Sequence, residues 1–246
     1  QIQSVRSHRP VVPSAFSTAI SLAEHQKAAD YTLAKHTLTQ VQLLVETLWL
    51  LVLTLGGGID WLYGLAADWA PTGSVILCGL LFLGLLGLVS GAMDLPFTII
   101  RQFGIEARFG FNRMTPKLFI TDLIRSTVVG ILIALPIVSL LLWLLEGAGP
   151  MSWLWAWLAW MGFNALLLFL YPVLIAPLFN KFSPMPDSAH KTKLNALLKH
   201  CQFNASGLFV MDGSRRSAHA NAYFTGFGRH RRIVLFDTLI EQLTPE

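Results

Sequence analysis

Apolar residues along this chain come in long unbroken runs, and polar residues gather between them. Four windows reach the ~20 residues a helix needs to cross a hydrocarbon core: 41–65, 74–93, 123–145 and 153–175. The window from Ser74 to Met93 holds no charge. The third contains Pro136, which a membrane helix tolerates when neighbours re-satisfy its backbone. The fourth opens with Trp153, Trp155, Trp157 and Trp160, a cluster suited to a membrane interface. The first is interrupted at its far end by Gly56-Gly57-Gly58 and Asp60. Four such runs exceed the helix lengths of a soluble core, so the pattern predicts a mainly α membrane protein.

After Pro177 the periodicity changes. Residues 187–203 read as an amphipathic helix with Leu194, Leu197 and Leu198 on one side. Three strand-like runs follow, Gly207–Met211, Ala220–Thr225 and Arg232–Phe236, with turn chemistry at Asp212-Gly213-Ser214 and Gly226-Phe227-Gly228. Thr238 and Glu241 have capping-box spacing, which predicts a helix after Asp237. Thr244-Pro245-Glu246 read as the opening of another. The expected organisation is an arm over 1–40, a transmembrane helical domain over 41–175 with a loop over 94–122, and an incomplete α/β domain over 176–246.

Composition agrees with the pattern: of 246 residues, 54% are hydrophobic and 13% charged, against about 25% charged in a soluble domain. The net charge of +4 does not point to nucleic acid, because position explains it. Every Lys and Arg lies in 1–40, 94–125 or 176–246, and the connections 66–73 and 146–152 have none. The positive-inside bias therefore places the arm, the middle loop and the tail in the cytoplasm. Cys78 sits in an apolar run and Cys201 in the polar tail, so no mutual disulfide is expected. Residues 1–40 lack a signal-peptide pattern.

Few polar groups interrupt the spans. Glu46 is expected to snorkel from a helix end, whereas Asn164 is deep enough for either an interhelical hydrogen bond or a substrate contact. For Glu106 and Arg108, an ion pair bracing the middle loop against the α/β domain is expected rather than a catalytic pairing. Arg215, Arg216 and Arg229 to Arg232 cluster in turns, where they meet anionic headgroups or plain solvent. His219 reads as a hydrogen-bonded structural residue, not a metal ligand. Pro172 and Pro177 are expected to bend the exit of the fourth span.

Three segments carry a resemblance. They are Arg101-Gln-Phe-Gly-Ile-Glu106-Ala-Arg-Phe-Gly110-Phe-Asn112 with Thr115-Pro116-Lys117, then Tyr171-Pro172 with Ala176-Pro177-Leu-Phe-Asn180-Lys181-Phe, and Asp212-Gly-Ser214-Arg-Arg216-Ser217-Ala-His219-Ala-Asn221-Ala-Tyr-Phe-Thr-Gly226 with Arg232-Ile-Val-Leu-Phe-Asp237. In this order they resemble the type I CAAX prenyl proteases, integral-membrane zinc metalloendopeptidases. The resemblance implies a seven-helix chamber fold, of which this chain supplies the second to fifth helices and the first helix and strands of a zincin-like α/β peptidase domain. One helix is then expected before Gln1, and the zinc ligands beyond Glu246.

None of the seven histidines begins a His-Glu-x-x-His motif, in which two imidazoles one helical turn apart share a metal while the glutamate activates its water. No catalytic or metal-ligating residue is therefore assigned in this chain, and alone it is expected to be inactive. The resemblance implies a substrate-binding role for Asn221, Ala222, Tyr223, Phe224, Thr225 and Gly226, where small residues admit a second backbone and Asn221 offers donor and acceptor. The implied partners are membrane lipid and a peptide or lipidated peptide cleaved near its C-terminus. A bacterial inner membrane with a cytoplasmic peptidase domain is the expected location, the endoplasmic reticulum the alternative. A non-catalytic membrane scaffold and a secondary transporter are the competing functions; the latter lacks paired broken helices.

Overall fold

The computed structural model describes residues 2–203, 205–226 and 231–243. The Gly226-Phe227-Gly228 turn (beyond Gly226) and the Thr244-Pro245-Glu246 helix opening lie outside them. The chain divides into two compact units, residues 1–112 and 113–246.

In the first unit, helix α1 (Ile2–His8) packs on α2 (Leu22–Thr54), helped by an Arg9–Asp30 ion pair of 2.7 Å. Helix α2 begins well before the expected residue 41 because Ser21 and Glu24 form a reciprocal capping box. It ends at Thr54 rather than running to 65. Gly57 adopts φ 75°, a left-handed turn that favours glycine, and α3 (Gly58–Trp69) starts afresh. Helix α4 (Val75–Ile99) continues through a π-helical stretch, Ile100–Glu106, into α5 (Ala107–Phe109). Tyr31 seats that end: its ring lies 5.3 Å from Phe109 and 5.0 Å from Phe111, and its hydroxyl donates to Glu106 at 2.7 Å.

Glu46 does more than snorkel. The Gln42 amide donates to Glu46 at 2.9 Å and to Asp94 on α4 at 2.6 Å, and Arg101 donates to the Gln42 carbonyl oxygen at 2.8 Å. Four polar side chains thus satisfy one another between two apolar helices.

The second unit opens with α6 (Pro116–Gly147), capped by the Thr115 hydroxyl, which accepts from the Leu118 N–H; Pro116 occupies the first turn, where its missing donor costs nothing. Pro136 lies inside this helix without breaking it. Helix α7 (Ser152–Leu170) passes through a π-helical stretch at Tyr171–Ile175, which contains Pro172, into α8 (Ala176–Phe179). The helical pitch changes where Pro172 and Pro177 were expected to bend the exit.

Among the described residues, four helical segments are long and apolar enough to span a membrane: Leu22–Thr54, Val75–Phe109, Pro116–Gly147 and Gly149–Phe179. At most 6% of any span's apolar window is buried inside the protein. Leu88 and Leu132 are each 69% exposed. Helices this apolar with their side chains outward have hydrocarbon for a solvent.

A four-stranded sheet follows, β1 (Phe182–Pro184), β2 (Gly207–Met211), β3 (Ala222–Thr225) and β4 (Arg232–Phe236), in the order β1-β2-β4-β3. Strands β2 and β4 run parallel, and both outer pairings are antiparallel. One face packs on α9 (Ala189–His200) and α10 (Asp237–Gln242) around Met185, Leu208 and Leu235, with Leu194, Leu198 and Ile240 against them. Truncating Leu235 to Ala leaves a cavity in this small core. Thermal unfolding of the protein in detergent should show a loss of about 2–5 kcal/mol.

Candidate functional site

Strand β3 lies at the edge of the sheet, with β4 on one side. Its register with β4 fixes which backbone groups point outward. Phe236 donates its N–H to the Asn221 carbonyl at 2.9 Å, so residues 221 and 236 are a hydrogen-bonded pair. Pairing Tyr223 with Val234 and Thr225 with Arg232 continues the alternation. The main-chain groups of Ala222 and Phe224 therefore face away from the sheet. The Ala222 N–H is taken by the neighbouring Asn221 Oδ1 at 2.8 Å. The strand begins at Ala222, two residues later than the expected Ala220.

Side chains on β3 alternate between two environments. Phe224, 71% exposed, leans against Phe203 with ring centroids 6.0 Å apart. Tyr223 faces the other side, 6.3 Å from the Phe236 ring, and its hydroxyl reaches Met211 Sδ at 3.8 Å. Burial, and then Tyr171, raise the Tyr223 phenol above its ordinary value. Gly226 closes the strand at φ 93°, a conformation that a side chain strains. All six residues expected to hold substrate thus lie together on the strand and its two ends.

Three contacts hold this edge from behind. Thr238, 1% exposed, donates its hydroxyl to the His219 carbonyl at 2.9 Å, so the expected capping box is replaced by a tie to the segment entering β3. Helix α10 does begin at Asp237. Burial pushes the Asp237 carboxyl up, but the Ser214 hydroxyl and N–H and the Thr238 N–H outweigh it and hold the group below the usual carboxylate range. Gly213 in the same turn passes so near the Phe236 ring that a Cβ would lie 2.6 Å from it.

Arg216 is not a headgroup contact. It donates to both oxygens of Asp122 on α6, at 2.8 and 3.1 Å, to Asn180 Oδ1 at 3.0 Å and to the Phe179 carbonyl at 2.7 Å. Its own carbonyl accepts the Arg113 N–H at 3.2 Å. Arg215 pairs with Asp212, while Arg231 and Arg232 lie over the rings of Phe203 and Phe209. Arg229 falls outside the described residues. Asp122 was missed in the sequence because it sits at the polar end of an apolar run, where one acid carries no pattern.

A cavity of about 410 Å³ lies between the Tyr223 face of the sheet and the exit of α7, lined by Tyr171, Pro172, Pro177, Tyr223, Thr225 and Arg232 among others. Asn164 borders a neighbouring hollow with Tyr171, Phe224 and Gly226. Its Nδ2 donates to the Trp160 carbonyl of its own helix at 2.7 Å, in place of an interhelical bond, one of the two roles expected of it.

Among the described residues no three His, Cys, Asp or Glu side chains gather into a set able to hold a metal ion. Cys78 and Cys201 are both free thiols.

Two family models match the chain: CAAX prenyl protease N-terminal, five membrane helices, over residues 1–181, and peptidase family M48 over 184–246. The CAAX prenyl protease 1 homologs of Arabidopsis thaliana and Homo sapiens are 35% and 36% identical over 96% and 94% of this chain. A crystal structure of S. mikatae Ste24p superposes with a TM-score of 0.87 at 32% identity, over 98% of this chain and 57% of that one. The chain spans 57% of the Arabidopsis relative's length and 50% of the human one's.

The Arg216 clamp makes a stability prediction. Arg216→Gln strands the Asp122 carboxylate and should cost on the order of 3 kcal/mol in detergent unfolding. Asp122→Asn added to it should cost less than the sum of the two single changes.

Proposed function

The chain belongs to the CAAX prenyl protease family, and we propose that it supplies the membrane anchor and the substrate-docking edge of a zinc endopeptidase that cleaves membrane-associated peptides near their C-termini. The observation carrying this reading is β3, an edge strand whose Ala222 and Phe224 main-chain groups face outward beside a largely apolar cavity. An extended peptide can add there as a further strand, held by main-chain hydrogen bonds and chosen by its alternating side chains. Held so, its backbone is fixed in register, and orientation of that kind is a large part of what a peptidase contributes.

The described residues do not form a zinc site, and the proposal places the ligands outside them. This chain's part is therefore binding and alignment. Asn221 is central to it: its Oδ1 occupies the Ala222 N–H, and turning that carboxamide toward a ligand frees the donor while offering the peptide an amide of its own.

The proposed topology keeps the arm (1–40), the middle loop (94–122) and the tail (176–246) on the cytoplasmic side, with 41–175 as the membrane domain, since every Lys and Arg lies in 1–40, 94–125 or 176–246. The relatives from Arabidopsis thaliana and Homo sapiens are eukaryotic and lend no support to a bacterial membrane; the charge bias marks the cytoplasmic side in either setting. In lipidated substrates the attached chain would bring the peptide to the membrane face.

In the complete enzyme, Asn221→Ala should lower kcat/KM about tenfold in a peptide-cleavage assay, with zinc content by metal analysis unchanged. Loss of zinc, or of the folded state, would make Asn221 a structural residue instead.

A further inference from the structure

At the far end of the β3–β4 pair two polar side chains are left unused. Thr225 and Arg232 are cross-strand partners, so their side chains rise on one face of the sheet with Cβ atoms about 5 Å apart. Neither the Thr225 hydroxyl nor the Arg232 guanidinium makes a hydrogen bond or an ion pair with the described residues. The guanidinium lies over the Phe209 ring, 5.4 Å from the centroid, which holds it in place without using its N–H donors. Both residues border a hollow of about 330 Å³ whose other walls are Gly226 and, on the exit of α7, Leu168, Phe169, Pro172 and Val173. Both also border the larger cavity, where Lys181 adds a second cation. No acidic residue lines either space, and the sequence 227–231 contains Arg229 and Arg231 and no acid.

The apolar wall belongs to a membrane span. Leu168, Phe169 and Val173 are exposed side chains near the end of the apolar window 153–175, where acyl chains give way to headgroups. A ligand that fills the hollow therefore needs hydrocarbon on one side and an anion on the other. We propose that it is a binding site for an anionic phospholipid of the bilayer, with the phosphate on Arg232 and Thr225 and one acyl chain along Leu168, Phe169 and Val173. A phosphodiester has two free oxygens, which suit a guanidinium fork and a hydroxyl. The charges of Arg232 and Lys181 favour a headgroup with net negative charge over one that carries its own cation. A lipid held this way ties the Gly226 end of β3 to the membrane. It lies on the face of the sheet, so the outward main-chain groups of Ala222 and Phe224 stay open, and the site does not depend on peptide docking.

The test titrates the complete enzyme, in uncharged detergent, with phosphatidylglycerol or phosphatidylcholine of identical chains and counts bound lipid by native mass spectrometry. The wild type should hold its first phosphatidylglycerol about tenfold more tightly than phosphatidylcholine. Arg232→Gln should bring that ratio close to one, Arg232→Lys should keep part of it, and Thr225→Val should weaken phosphatidylglycerol binding about threefold. Lys199→Gln removes an exposed cation from α9, which packs on the opposite face of the sheet, and should leave the ratio unchanged. Equal losses in Lys199→Gln and Arg232→Gln would reduce the effect to general surface charge and overturn the proposal. So would a ratio that Arg232→Gln does not alter. Glycerophosphoglycerol, the same headgroup without chains, should fail to displace the lipid at about a hundredfold excess; displacement would assign the pocket to soluble phosphate compounds and overturn the lipid assignment. A non-cleavable peptide should leave the lipid in place. If it expels the lipid, the hollow belongs to the substrate path and the phospholipid site is rejected, while docking on β3 stands. Should Arg232→Gln fail to fold, Arg232→Lys and Thr225→Val decide by the same comparison.

Discussion

Arg216 reaches from the turn before β3 to the ends of two apolar helices, and the placement of the sheet depends on it. Its guanidinium meets the Asp122 carboxylate on α6, the Phe179 carbonyl at the end of α8 and the Asn180 amide oxygen just beyond. Both charged side chains are mostly buried, at 20% and 16% exposure, where an unmatched charge is expensive. The acceptors lie on two backbone segments, α6 and the end of α8, so full satisfaction requires both in one arrangement. Specific geometry, more than net stabilisation, is what such a pair provides here.

That constraint passes to the β3 edge, the proposed docking edge, through short links. From Arg216 the chain runs six residues to Ala222, and along the way the His219 carbonyl is tied to Thr238. Asp237 takes the Ser214 hydroxyl and N–H, and Gly213 lets the Phe236 ring close on the turn. The edge is thus rigid at its back and open at its front, with the cavity floor supplied by the π-helical exit of α7. Membrane helix and sheet are coupled because the same few residues, 176–182, end α8 and begin β1.

Much of this was legible from sequence because the deciding forces are local. Strands Gly207–Met211 and Arg232–Phe236 occupy the expected residues, since an apolar run bounded by turn chemistry has few alternatives. Helix α9 falls inside the expected 187–203. The errors lie where a local signal was outweighed or overlooked. The Ser21–Glu24 capping box, which starts α2 far upstream, lies outside any hydrocarbon-length apolar run. Strand β1 is three residues long and ends in proline, a composition tolerated only at a sheet edge and invisible to an alternation test. Thr238 had the spacing of a cap, but a partner nineteen residues away claimed its hydroxyl. The Arg216 cluster looked like surface charge because Asp122, its partner, is 94 residues distant. The proposed docking role of β3 comes from resemblance to a family, and the structure adds what no motif contains: which of its amides face outward.

The central claim is that a peptide joins the sheet at β3, and amide hydrogen exchange reads it residue by residue. With a non-cleavable peptide bound to the complete enzyme, the Phe224 amide, which faces outward, should gain strong protection. The Tyr223 and Thr225 amides, which the register already directs to β4, should change little. Protection that appears elsewhere while Phe224 continues to exchange at its unliganded rate would contradict the account.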